Sequence, residues 1–193
     1  MTPATIGELL HWSYANLAMA HSAVAKKGAA YGRINFMIRA KLLKGLRTGT
    51  MNVGSLVEDE RLKFVLPLAC CYCGTAGSLS VDHLLPSSQG GPDTGDNVVW
   101  ACRSCNSSKG KRDLLVWYST RQQFPPLYLL RRYLKLAIGH CEERGLLELP
   151  LGQALELPFV LEAIPKKYPP PSELVMWCTE LPVADAGGGC GGR

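Results

Sequence analysis

The chain has 193 residues, 47% hydrophobic and 19% charged, with a net charge of +5. That length suits one core with extensions, and no stretch approaches the roughly 18 apolar residues of a membrane span, which argues against an integral membrane protein. Charge is uneven: up to Gly139 there are 17 Lys/Arg against 8 Asp/Glu, and from His140 to Arg193 there are 4 against 8.

A basic front suits a polyanionic partner, although many cationic proteins bind no nucleic acid. The opening MTPATIGELLHW lacks the basic n-region of an export signal, so a cytoplasmic location is expected. Eight cysteines would suit a secreted disulfide scaffold, but two C-x-x-C pairs point instead to metal-binding thiolates in a reducing compartment.

In chain order, Thr5-x-x-Glu8 ahead of Ile6, Leu9, Leu10, Leu17, Ala20 and Val24 predicts a capped helix that stops at Gly28. His11 and His21 lie on it at a spacing that does not bring them together. A second helix is predicted over Gly32–Leu46, with Ile34, Met37, Ile38, Leu42 and Leu46 as its buried stripe. Arg33, Arg39, Lys41, Lys44 and Arg47 lie between them, either as a solvated face or as a surface that follows a phosphate backbone. A short helix or turn over Ser55–Lys63 then leads into the first cysteine pair.

The central stretch reads CCYCGTAGSLSVDHLLPSSQGGPDTGDNVVWACRSCNSSKGKR, from Cys70 to Arg112. Two C-x-x-C knuckles a few tens of residues apart predict one structural zinc held by Cys70, Cys73, Cys102 and Cys105, because each knuckle turns two thiolates towards a tetrahedral ion. Cys71 pairs badly with Cys73 across one residue and is read as filler. A segment this short buries little core, and a bound metal supplies the missing stability. Leu79–Leu85 reads as a strand, SSQGGPDTGD as a loop, Asn97–Ala101 as a second strand, and the chain after Cys105 as a helix. Consecutive strand residues point to opposite faces, so a bulge or twist near Asp82-His83 is expected if both are to serve one site.

The combination C-x-Y-C-G, V-D-H-L-L-P, G-G and D-N-V-V-W-A-C-x-x-C-N-x-x-K resembles the HNH endonucleases over about Leu68–Leu115, in an H-N-N form that ends on Asn106. The resemblance implies an α+β fold: a zinc-stapled ββα-metal core with flanking α-helices. It implies that His83 deprotonates the attacking water, that Asp82 and Asn106 hold a catalytic Mg²⁺ or Mn²⁺, and that Asn97 organises the loop that orients the histidine. Read as residues alone, Asn97 is equally a turn residue after Asp96. The chemistry agrees with the resemblance: imidazole titrates near neutrality, and a sparse set of hard oxygen ligands suits Mg²⁺. Lys109, one helical turn past Asn106, is expected to reach a phosphate, with Arg103, Lys111 and Arg112 adding positive charge nearby.

After the break at Arg121–Pro126, Leu127, Leu130, Leu134, Ala137, Ile138 and Cys141 predict a further amphipathic helix stopped near Gly145. Arg131, Arg132 and Lys135 are expected on its outer face. The proline-rich stretch from Leu149 is read as an arm that packs on the body or on a partner. The expected organisation is a helical extension over 1–66, a nuclease core over 67–120, a helix and arm over 121–183, and a flexible tail over 184–193. The expected activity is metal-dependent hydrolysis of DNA, with RNA or an RNA–DNA duplex as other targets and a homodimer or partner protein contacting the flanking helices, in a prokaryotic or phage-type setting. The alternative is a non-catalytic zinc-ribbon nucleic-acid-binding or adaptor protein.

Overall fold

The structure, a computed structural model, describes residues 2–180. The predicted tail and its Cys190 lie outside the described residues. The first helix, α1 (Ile6–Ala25), starts at Thr5, whose side chain accepts from Glu8 N. Glu8 reaches back to Ala4 N at 2.8 Å, so the capping box is closed one residue early. Helix α2 (Arg33–Arg47) packs on α1, with Leu43, Gly45 and Leu46 of its second half buried. The predicted stripe is corrected here, because Ile34 and Met37 are 62% and 59% exposed. Ile38, Leu42 and Leu46 of the stripe do face inward, joined by the half-buried Asn35 and Arg39, and Asn35 is turned towards α1 by its contact with Ser22.

A short helix, α3 (Val57–Val65), precedes the hairpin of β1 (Leu79–His83) and β2 (Val98–Cys102). The two strands are antiparallel with Leu79 opposite Cys102 and His83 opposite Val98, and the register is unbroken between them. The expected bulge at Asp82-His83 is therefore absent. Helix α4 (Arg103–Lys109) lies against both strands. The helix expected after Cys105 in fact begins at Arg103 and breaks at Gly110, whose φ of 54° favours glycine. It restarts as α5 (Leu114–Thr120), where Asp113 caps Leu115 N and Val116 N.

Helix α6 (Leu127–Glu143) packs on α1, and its six predicted core residues are all buried. Each fully buried leucine contributes roughly 1.5–3 kcal/mol. The chain after α6 packs on the body and satisfies backbone groups that two helix starts leave open. At α1, Ile6 N and Gly7 N donate to Leu149 O and Leu147 O at 3.0 and 2.8 Å. At α6, Leu127 N and Tyr128 N donate to Val175 O and Met176 O at 3.0 and 3.2 Å. A single apolar core runs from Ile6 through the hairpin to Met176. Among the described residues, no helix is long and apolar enough to cross a membrane.

The cations expected on the outer face of α6 are also corrected. Arg132 is fully buried and Lys135 nearly so. Both serve the buried Asp59 of α3: Arg131 and Lys135 bond its carboxylate at 2.7 Å each, and Arg132 reaches its backbone carbonyl. Arg132 also donates to the carbonyls of Gly95 and Asp96 in the turn that enters β2.

Candidate active site and metal centre

The two knuckles sit at opposite ends of the hairpin's sequence but at one end of its structure, because Leu79 pairs with Cys102 and Cys71 N donates to Trp100 O at 2.8 Å. As a result the ligand atoms of Cys70, Cys73, Cys102 and Cys105 all lie within 4.8 Å of one another. Cys73 Sγ and Cys102 Sγ are 3.8 Å apart, which matches the separation of about 3.8 Å that two thiolates at 2.3 Å from a tetrahedral zinc would show. The cluster can thus hold a metal ion such as zinc. Hydrogen bonding among the sulfurs pushes the Cys73 thiol down, with Cys105 and then Cys70 as partners, while Cys105 is pushed up by Cys70 and Cys73. A cation at the centre would stabilise all four as thiolates. Gly74 closes the first knuckle at φ 75°, and a Cβ there would lie 2.5 Å from Cys178 O, so the C-terminal arm rests directly on it.

The unbroken register sends Asp82 and His83 to opposite faces of the hairpin. Asp82 is buried on the α4 side, where Tyr72 Oη donates to its Oδ2 at 2.6 Å and Lys109 Nζ lies 3.3 Å from Oδ1 and 3.2 Å from Oδ2. Lys109 also donates to the His83 carbonyl at 2.7 Å. With 1% exposure, it is an internal ion-pair partner and not the surface phosphate contact expected from its spacing. Burial pushes its ammonium below the usual lysine range, against the opposing pull of Asp82. Asn106, one turn earlier on α4, donates to Ser80 Oγ and Val81 O at 2.9 and 3.2 Å. Those bonds use the amide nitrogen and leave its oxygen as an available hard ligand. A carboxylate has about four acceptor positions, of which Tyr72 and Lys109 take three, so Asp82 retains one. Asp82 and Asn106 each keep an oxygen that could be offered to a small divalent cation, with the Lys109 ammonium as a competitor for Asp82.

His83 projects from the other face, half-buried, and its Nε2 lies 2.9 Å from Asp93 Oδ1. Asp93 was not singled out in the sequence. The signal that was available is its position two residues after the Gly90-Gly91 pair, which folds the loop back on the strand end. Gly90 adopts φ 90°, and a Cβ on Gly91 would stand 2.2 Å from Leu85 O. Asn97 fixes the other side of this loop and is fully buried. Its Oδ1 accepts from Leu85 N, and its Nδ2 donates to Leu85 O and Pro92 O, each at 2.8 Å. Asn97 thereby joins the end of β1 to the residue before Asp93. Arg112 Nε donates to Lys109 O, and its guanidinium also bonds Ser108 O, which closes the C-terminal end of α4. Arg103 and Lys111 are exposed.

Residues 70–112 match the family model described as HNH endonuclease. Residues 70–112 are an HNH endonuclease domain. Over 52 residues the chain is 38% identical to the CRISPR-associated endonuclease Cas9 of Corynebacterium diphtheriae, an alignment that takes in 25% of this chain and 5% of that relative. The chain thus spans a small part of the curated relative's length. No solved structure matches. The HNH domain contains both arrangements described above: Asp82 with Lys109 and Asn106 of α4 on one side of β1, and His83 with Asp93 on the other.

Proposed function

We propose that the chain is a divalent-metal-dependent endonuclease that hydrolyses DNA phosphodiesters with His83 as general base. The reading is carried by the HNH domain's presentation of a half-exposed histidine whose ring is oriented by a carboxylate. An ionised carboxylate can only accept. With Asp93 in that form, Nε2 carries the hydrogen and Nδ1 is left with the lone pair that takes a proton from water. The water oxygen bonds to phosphorus as its proton passes to Nδ1, and the bond from phosphorus to the 3′ oxygen breaks. That oxygen then takes a proton from solvent, giving 5′-phosphate and 3′-hydroxyl ends. Asn97 keeps the loop in place through the reaction.

Asp82 and Asn106 would hold Mg²⁺ or Mn²⁺, which when bound would neutralise charge on a phosphate; because β1 sends Asp82 and His83 to opposite faces, one phosphate meets both only if the end of β1 twists when DNA binds. Zinc at Cys70, Cys73, Cys102 and Cys105 would have no open position and a structural role alone. Arg103 and Lys111 are free to approach the backbone from the exposed side of α4.

One observation favours a different reading, a zinc-stapled nucleic-acid-binding or adaptor protein without catalysis. Lys109 already neutralises Asp82, as it would in a domain that never takes up a second metal. Plasmid cleavage with Mg²⁺ or Mn²⁺ separates the two. Wild type should nick or linearise plasmid and His83→Ala should not. If both leave plasmid intact while binding it equally, the catalytic reading is lost. Competition with RNA and with an RNA–DNA duplex identifies the preferred substrate.

A further inference from the structure

From Glu8 to Glu58 the chain contains seven Lys and Arg and no intervening carboxylate. This run lies entirely outside the HNH domain and is not needed for the chemistry proposed there. Part of its charge is taken up internally, since Arg47 pairs with Glu8 at 3.2 Å. Arg39 belongs to an aromatic cluster built from three parts of the chain. Arg39 of α2 lies 4.9 Å from the Trp12 ring and 5.1 Å from the Phe36 ring. Tyr31 stands 6.4 Å from Phe36 and donates to Pro169 O at 2.7 Å. Trp12 Nε1 donates to Lys166 O at 2.9 Å, which brings the exposed Lys166-Lys167 pair of the arm to the same place. Phe36 remains 43% exposed, and the exposed Arg33 lies one turn before it on α2.

The exposed ring and the cations beside it form one mixed surface. Its chemistry selects the occupant. The cations demand an anion, and an exposed ring braced from behind by a guanidinium offers a flat apolar surface. A polynucleotide supplies both, but in a duplex the base faces are already stacked on each other. Only unpaired bases can lie on Phe36 while their phosphates meet Arg33 and Lys166. We infer that Tyr31, Phe36 and the Arg39–Trp12 stack form a docking platform for single-stranded DNA, separate from the HNH domain. The choice of DNA rests on the substrate proposed above; the choice of an unpaired strand rests on the platform itself.

The test uses full-length His83→Ala protein with a fluorescein-labelled, mixed-sequence DNA strand of about 16 nucleotides, read by anisotropy. Phe36→Ala should weaken binding about ten-fold, as expected for loss of one stacked base. Phe36→Trp should restore it. Arg33→Glu should weaken binding and make it less steeply dependent on salt. Thermal melting of each variant should match the parent, since both side chains are exposed. Unchanged affinity in Phe36→Ala would overturn the inference. So would equal loss on a blunt duplex of the same sequence, stronger binding of the matching RNA strand, or a change in sedimentation that makes the face a self-association surface. Plasmid cleavage by the wild type is scored separately. Phe36-dependent binding without cleavage keeps the platform and removes the nuclease, and cleavage with Phe36-independent binding does the reverse.

Discussion

Asn97→Ala is the most demanding test of how the site is held. The side chain makes three hydrogen bonds at 2.8 Å, to Leu85 N, Leu85 O and Pro92 O, from a fully buried position. Alanine removes all three and opens no route for water to the Leu85 groups, which lie inside the core. A buried polar group left without its partner costs about 1–3 kcal/mol. Counting the two Leu85 groups in full and the half-buried Pro92 carbonyl at the low end, the loss is about 3–7 kcal/mol. For a chain of this size that lowers the melting point by roughly 10 °C or more. Urea denaturation of the zinc-loaded protein measures the free energy directly. Asn97→Asp sharpens the experiment: it keeps an acceptor for Leu85 N but sets a carboxylate against two carbonyl oxygens, so it should be no better than alanine. A loss below about 1 kcal/mol in Asn97→Ala, or a well-tolerated aspartate, would refute the stapling role.

Other perturbations probe the remaining parts. Asp93→Ala, at a side chain in open solvent, should change stability by less than about 0.5 kcal/mol while lowering the cleavage rate about ten-fold or more, because the imidazole loses its orienting partner; single-turnover kinetics with the wild-type rate retained would exclude the dyad. Lys109→Ala leaves the Asp82 carboxylate buried without its cation and should cost about 3–5 kcal/mol, measured by chemical denaturation; a neutral result would mean that Asp82 is not charged in the fold. Removal of zinc by a strong chelator, or Cys102→Ser, should unfold residues 70–112 and abolish cleavage, since the four sulfurs have no other cation to bring them together. Native-like circular dichroism after one equivalent of zinc has been released would contradict that assignment.

The parts of this fold that were legible in the sequence are those fixed by short-range geometry. A C-x-x-C knuckle is a local turn, so its spacing alone paired Cys70 and Cys73 with Cys102 and Cys105, and the four sulfurs indeed converge. The strand, loop, strand, helix order followed from local pattern in the same way. Lys109 was misjudged because its direction depends on the angle at which α4 crosses β1, which is not written in the three-residue spacing from Asn106. Arg131, Arg132 and Lys135 were misjudged because α6 is enclosed on almost every side, and their counter-ion, Asp59, lies more than seventy residues away in sequence. A helix that is buried all round must keep its cations inside, and only tertiary structure says so. Ile34 and Met37 failed for the opposite reason: the apolar pattern of α2 extends past the surface that α1 offers it. Asp93 was invisible because a loop carboxylate carries no pattern until the Gly90-Gly91 turn brings it against His83.

Arg132 sits twenty residues beyond the HNH domain, yet its guanidinium clasps the carbonyls of Gly95 and Asp96 at the entry to β2. Evolutionary portability and mechanical self-sufficiency therefore have different borders in this protein. A graft of residues 70–112 into another host would carry every sulfur and every candidate reacting group. It would arrive with the turn before Asn97 unclasped, and the recipient scaffold would need its own buried cation at that turn to keep Asp93 facing His83.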